Sequence, residues 1–330
     1  PLLSPAGKLR LLLAPLLAPA PLADGADISV DEYISRRFGQ QVSDRLAEPL
    51  LNAVYGSDVR QMSTRAVFPQ LVAMEKKHGS LWKAFAKQLA AGKSAGGAPA
   101  MPHATQHSPA SVANGATKAP STVFVTLRDG LGQLPARVAA ALETTRVLLG
   151  EEVLGVRRDA ATGGYRVLMN GAERVCDAVV MAAPSPIAAR LLQPVDSEVS
   201  DLLAGIVYHS VAIAALGYRR VPPAPRAADW GSRGFGFVIP RGEDCQTIAC
   251  TWVHNKFSYR APQGAALVRS FFGGARNEAV DAVSDAAVLD AARSELAGIM
   301  GLQAAPDFAR VYRWSKCMPQ YGVGHLDMLE

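Results

Sequence analysis

The chain has 330 residues, 49% hydrophobic and 19% charged, enough for two or more domains around a sizeable core. Its formal charge of +5 lies wholly in residues 1–118, which carry 13 basic and 8 acidic side chains; the remainder carries 21 of each. Beside the longest apolar run, that excess suggests an anionic membrane surface more than nucleic acid, with an ordinary solvated face as the alternative. The four cysteines, Cys176, Cys245, Cys250 and Cys317, form no C-x-x-C pair and no cluster with histidine, which argues against a zinc site and a disulfide framework and favours a reducing, cytoplasmic setting.

In chain order, residues 9–18 read LRLLLAPLLA, too short to span a bilayer, interrupted by Pro15 and without the marks of a signal peptide. Such a segment rests on a membrane or packs under one. Ser29-Val30-Asp31-Glu32 is a capping box that opens a helix ending at Gly39. A second helix is expected from about Gln41 to Val54, kinked or split by Pro49. A third begins near Ser63 or Thr64. Residues 92–120 are rich in Gly, Ala, Ser and Pro and read as a linker that cannot bury enough surface to fold.

Beyond the linker, strands are expected at Thr122–Thr126, Val147–Leu149 and Val153–Val156, with a helix over Gly132–Leu142. Tyr165–Met169 pairs back across a hairpin, and Asn170-Gly171 forms a two-residue turn. Asp177–Met181 reads as a buried strand ending in Ala182-Ala183-Pro184. This order resembles the middle of a dinucleotide-binding α/β domain. From Ser210 the pattern changes to antiparallel strands: Ser210–Tyr218, Gly234–Ile239, Thr247–Val253, Ala266–Phe272 and Ala309–Trp314, with a helix capped by Ser284 running to Met300.

Four strings in a fixed order carry a family resemblance: Arg36-Arg37-Phe38-Gly39, Leu127-Arg128-Asp129-Gly130-Leu131, Met181-Ala182-Ala183-Pro184 and Met318-Pro319-Gln320-Tyr321. With FGFVIP and FSYRAPQGAALVRSFFGGARN between them, they are similar to the FAD-dependent protoporphyrinogen oxidases of the flavin amine-oxidase superfamily. The resemblance covers nearly the whole chain. It implies an α/β fold of mixed α+β type: a partial FAD-binding dinucleotide-type domain, an antiparallel-sheet substrate domain and a helical membrane-associated domain. The implied boundaries are 1–120 for the helical domain with its linker at about 92–120, and 121–196 for the central part of the FAD-binding domain. The substrate domain then takes 197–316, and 317–330 returns toward the FAD-binding domain. No G-x-G-x-x-G follows a strand near the start. With Pro1 in place of Met and Glu330 inside an apolar pattern, the chain reads as a piece of a longer protein, expected to bind little flavin or to aggregate when expressed alone.

The resemblance also implies site residues. Val153 would meet the adenine end of FAD, and Ala182, Ala183 and Pro184 would end a strand where a flat ring can approach. For the tetrapyrrole substrate the matching positions are Val238, Thr251 and Phe271, with Asn52 and Ala53 closing the pocket from the helical domain. Relatives have an apolar residue where Thr251 stands and often Gly where Ala53 stands. Each of these residues also reads as an ordinary core or turn position. No catalytic base and no metal site emerges, and His254 and His325 read as structural. In flavin oxidases the cofactor carries the hard chemistry.

The function so implied is oxidation of protoporphyrinogen IX to protoporphyrin IX by FAD, with molecular oxygen as acceptor. Coproporphyrinogen III is an alternative substrate. An amine oxidase or carotenoid desaturase of the same superfamily, or a non-enzymatic, membrane-peripheral tetrapyrrole binder, is the competing reading. The expected partners are the tetrapyrrole, oxygen and a peripheral membrane surface on the cytoplasmic side, with no nucleic acid; a homodimer is compatible with the resemblance.

Overall fold

The computed structural model describes residues 2–90, 125–227 and 230–330. The linker expected at 92–120 lies outside the described residues, as do Thr122–Phe124. Two compact units form, Pro1–Ser108 with Val207–Glu330, and Pro109–Ile206.

The first unit opens with helices. α1 (Pro5–Leu12) is capped by Ser4, whose Oγ accepts from the Gly7 N–H, and Leu13 joins it to α2 (Ala14–Leu17), which has Pro15 in its first turn. Leu9, Leu12, Leu16 and Leu17 are exposed. α3 (Val30–Phe38) starts as the sequence predicts: the Ser29 Oγ accepts from the Glu32 N–H at 3.1 Å, and Gly39 ends the helix at φ 98°. Its buried face is Val30, Tyr33 and Arg37, spaced for one side of a helix.

The expected second helix is split. α4 (Gln40–Val42) leads into one π turn over Ser43–Ala47, then α5 (Glu48–Tyr55). Pro49 has no N–H to give Arg45, so the ladder slips by one residue and the Glu48 N–H reaches the Ser43 carbonyl. α6 (Thr64–Val67), capped by Ser63, gives way at Phe68, because the residue before Pro69 is pushed out of the helical region. α7 (Pro69–His78) and α8 (Leu81–Ala90) follow. Glu75 on α7 is fully buried against α3. It accepts from Arg37 Nε and Nη2, both at 2.6 Å, and from the Tyr33 hydroxyl at 3.0 Å. The guanidinium also lies 3.6 Å from the centre of the Tyr33 ring. Removing one partner of such a buried pair costs about 3–5 kcal/mol, because the other is left charged and dry.

The second unit holds α9 (Gln133–Ala140) and an antiparallel sheet of β1 (Val153–Arg158), β2 (Tyr165–Met169) and β3 (Ala172–Cys176) in sequential order. Asp159 organises the first turn, accepting from the Thr162 hydroxyl at 2.7 Å and Arg166 Nε at 2.9 Å. Gly171 takes φ 73° in the second, as the Asn170-Gly171 pair requires. α10 (Ser185–Leu192) and α11 (Ser197–Ala204) pack on each other.

Two expected strands do not form here, and for a third only the end is described. Val147–Leu149 and Asp177–Met181 join no ladder, and Val125 and Thr126 belong to no strand among the described residues. Neither segment is buried: Val180 is 93% exposed in the second and Leu149 88% in the first. A strand is defined by its neighbour's hydrogen bonds, and no other extended segment among the described residues pairs with these.

The first unit then resumes with a five-stranded antiparallel sheet in the order β5-β6-β7-β4-β8. Its strands are β4 (Tyr208–Tyr218), β5 (Gly236–Val238), β6 (Thr247–Trp252), β7 (Ala266–Gly273) and β8 (Phe308–Pro319). α12 (Val253–Lys256) follows β6, and α13 (Asp285–Met300) covers one face of the sheet. Leu216, Val268, Phe272, Val288, Leu296 and Met300 form that core. The opposite face carries the row Val238–Ala249–Phe271–Ile213–Tyr312 across all five strands. The next row is Gly236–Thr251–Arg269–Ala215–Arg310. β8 runs five residues beyond its expected end. Past it Gln320 clasps the backbone of Asp58, and Tyr321 accepts from the Ser63 N–H. α14 (His325–Leu329) closes the chain, its Asp327 paired with Arg65 at 2.7 Å.

Candidate functional site

The C-terminal end of α5 is held over the second face of the sheet. At its start, Glu48 accepts from Arg276 Nε at 3.1 Å and Nη2 at 2.5 Å, and Arg276 also donates to the Ile239 carbonyl at 2.6 Å. At its finish, Gly56 adopts φ 62° and Gly274 comes so close that a Cβ there would lie 2.7 Å from the Gly56 oxygen. The Ala275 N–H donates to that oxygen at 2.8 Å. Both contacts need glycine, one for the turn and one for the backbone approach.

Beneath this end lies a cavity of about 380 Å³, bounded by Asn52 and Ala53 above and by Ile213, Phe271, Trp314 and Met318 below. It is largely apolar and open on one side, with room for part of a large flat ligand. One polar group stands out in it. Asn52 is 1% exposed, yet neither its amide oxygen nor its nitrogen has a hydrogen-bond partner. An unsatisfied buried amide costs about 1–3 kcal/mol, a cost that a ligand with a complementary polar group removes. A larger recess of about 650 Å³ is lined by Asp31, Asp44, Glu48, Arg60 and Arg241 among others. Its charges are matched internally, as where Arg241 lies 3.3 Å from Asp58 and 3.6 Å from Glu48, so it offers an apolar ligand little.

The structure thus brings Asn52, Ala53 and Phe271 together at one cavity. Val238 and Thr251 share the sheet face without lining the cavity, Val238 in the Phe271 row and Thr251 in the next. The strand alternation carries this information, but which face is open does not show in a single strand. Ile213, Trp314 and Met318 were not singled out in the sequence, although Met318 stands in the Met-Pro-Gln-Tyr string.

The second unit has its own apolar cavity of about 330 Å³, lined by Val153, Val156, Met181, Ala182, Ala183 and Ile187 with others. Pro184 adjoins it as the cap residue of α10. Methyl and isopropyl groups form the wall, and the two alanines leave it shallow. These residues fit a flat apolar ring such as either end of a flavin dinucleotide.

No side chain in either place is set up as a nucleophile or base. His254 lies between the Trp230 and Leu267 carbonyls, at 3.0 and 3.2 Å. Burial lowers the His325 pKa, and its ring lies 4.8 Å from that of Tyr321. Burial pushes the Cys250 thiol up to about 12 and also raises Cys317 beside the cavity. Among the described residues, no three His, Cys, Asp or Glu side chains are grouped to hold a metal.

The family model of flavin-containing amine oxidoreductases matches residues 1–330, and the chain belongs to that family. FAD is the cofactor of this class. Within it, the relatives lie among the porphyrinogen oxidases. Coproporphyrinogen III oxidase of Bacillus subtilis (strain 168) is 30% identical, over 98% of this chain and 63% of its own length. Chloroplastic protoporphyrinogen oxidase 1 of Arabidopsis thaliana is 27% identical, over 100% of this chain and 60% of its own. A crystal structure of a provisionally named protoporphyrinogen oxidase from Exiguobacterium sp. 255-15 superposes with a TM-score of 0.79 at 26% identity, covering 99% of this chain and 64% of that one. Reduced UDP-galactopyranose mutase, at 14% identity and a TM-score of 0.64, shares the fold alone. The chain spans about three fifths of the length of the relatives it matches.

Proposed function

We propose that the protein oxidises a porphyrinogen, protoporphyrinogen IX in the first instance, with FAD as the oxidant and molecular oxygen as the final acceptor. The observation that carries this reading is the apolar cavity under α5, with Phe271 on its floor and one unsatisfied amide in its wall. The resemblance of the chain to porphyrinogen oxidases supports it. When bound, FAD supplies a two-electron acceptor that oxygen regenerates. The chain's own residues bind and orient the ring system. Phe271 offers a face for a pyrrole ring, Ile213 and Val238 extend that surface, and Asn52 fixes the ring's position through its amide. The apolar walls exclude water from the reacting edge.

We also infer a peripheral contact with a membrane on its cytoplasmic side. Exposed Leu9, Leu12, Leu16 and Leu17 lie beside Lys8 and Arg10, a mix that favours an anionic lipid surface. No helix among the described residues is long and apolar enough to cross a bilayer.

The test of the catalytic reading is Phe271→Ala in the full-length gene product. Losing the aromatic face lowers kcat/KM for protoporphyrinogen IX by roughly tenfold or more while the flavin absorbance is unchanged. An unchanged kcat/KM removes Phe271 from the substrate site.

A further inference from the structure

Arg269 lies on the open face of the sheet, two residues from Phe271 along β7 and about 7 Å away on the strand. Register sets it directly opposite Thr251 on β6 and Ala215 on β4, with Arg310 next in the row on β8. Its guanidinium carbon is 5.7 Å from the centre of the Phe271 ring. The side chain is half-buried, and its Nε is buried with no hydrogen-bond partner. No ion pair is formed with it among the described residues.

That is unusual in this molecule. Arg37 is matched by Glu75, Arg276 by Glu48, and Arg313 by Asp285 with two backbone carbonyls. Arg269 instead meets like charge. Burial and the Arg260 charge both lower its pKa, and burial and Arg269 both lower that of Lys256. A half-buried guanidinium with an unbonded Nε and no ion pair among the described residues is unfavourable until an anion arrives.

We propose that Arg269 is a substrate-specificity residue that receives a carboxylate arm of the tetrapyrrole ring seated on Phe271, with the Thr251 hydroxyl as a second donor. The proposal rests on the porphyrinogen reading above and deepens it. A propionate reaching along β7 from a ring on Phe271 meets the guanidinium, whose planar fork suits a carboxylate. The same contact gives the departure at Thr251 a reason, since a hydroxyl opposite an anion-binding arginine is useful where an apolar side chain is not. An arginine that receives a carboxylate arm favours a porphyrinogen with four propionates over one with two, so coproporphyrinogen III gains more from it than protoporphyrinogen IX.

The test uses the full-length holoenzyme with coproporphyrinogen III, protoporphyrinogen IX and the uncharged methyl ester of each. Arg269→Gln is expected to raise KM for coproporphyrinogen III by roughly tenfold or more, with kcat nearly unchanged. It is expected to raise KM for protoporphyrinogen IX less and to leave both esters unaffected. Arg269→Lys and Thr251→Val are expected to fall between wild type and Arg269→Gln. An equal loss on esters and acids, or no change on any of the four, overturns the proposal. Turnover of none of them by the wild type defeats the porphyrinogen reading instead. Equilibrium binding of coproporphyrin III, followed by its fluorescence, then decides the carboxylate site alone. Roughly tenfold weaker binding to Arg269→Gln than to wild type supports it, and equal binding overturns it.

Discussion

At the scale of single residues, Asn52 is the sharpest test of the cavity. Its carboxamide is buried and unsatisfied, so a leucine of similar size relieves a cost in the ligand-free protein. The melting temperature of the apoprotein with Asn52→Leu is expected to be equal to or above that of wild type, while the affinity for porphyrinogen falls. A less stable apoprotein that binds as tightly as wild type would mean that Asn52 serves the fold. Some residues of this kind were legible in the sequence. Ser29 as a helix cap follows from Ser-x-x-Glu, and Phe271 from its string. Others were not. Nothing local to Arg37 marks it as buried, because its partner Glu75 is 38 residues away. Arg269 alternates along β7 with core residues, and only the strand pairing shows that its face is the one with the cavity.

At the scale of elements, proline and glycine were the reliable signals. Pro49 splits its helix and Gly39 ends one, both for backbone reasons that need no tertiary context. The failures were Val147–Leu149 and Asp177–Met181, where β-branched residues predict strands. Propensity describes one segment, whereas a ladder needs two. α1 and α2 carry a prediction of their own. Their exposed leucines, Leu9, Leu12, Leu16 and Leu17, are the surface on which the proposed membrane contact rests. Leu12→Glu with Leu16→Glu is expected to abolish co-flotation of the full-length protein with vesicles containing anionic lipid, at unchanged stability. Equal flotation of the variant and wild type would move the membrane contact elsewhere or remove it.

At the scale of the whole molecule, the sheet and α13 supply the main core of the first unit, and two titratable groups are sealed in it. Burial pushes both the Cys250 thiol and the Tyr218 hydroxyl up to about 12. In the unfolded chain these groups titrate near 8.5 and 10. A raised pKa of this kind contributes stability in full below the unfolded value and loses it as pH rises toward the folded one. The urea midpoint is therefore expected to fall between about pH 8.5 and 12, and Cys250→Ala to flatten the lower part of that slope. A midpoint constant to pH 11 would mean that the core admits water at these groups. The five-stranded antiparallel sheet, its helix and the β1–β2 hairpin of the second unit were all readable from alternation and turn residues. The joining of the helical segment to the sheet was not, because Glu48–Arg276 and Asp58–Gln320 span 228 and 262 residues.

The central claim is that this chain belongs to an enzyme that oxidises a porphyrinogen with FAD. The direct test is to purify the full-length gene product, record its visible spectrum, and follow porphyrin fluorescence in air after adding protoporphyrinogen IX or coproporphyrinogen III. A flavin spectrum with fluorescence rising well above autoxidation for at least one of them is the predicted result. A flavin spectrum with no rise for either would contradict the account and leave an amine-oxidase-like substrate to be found.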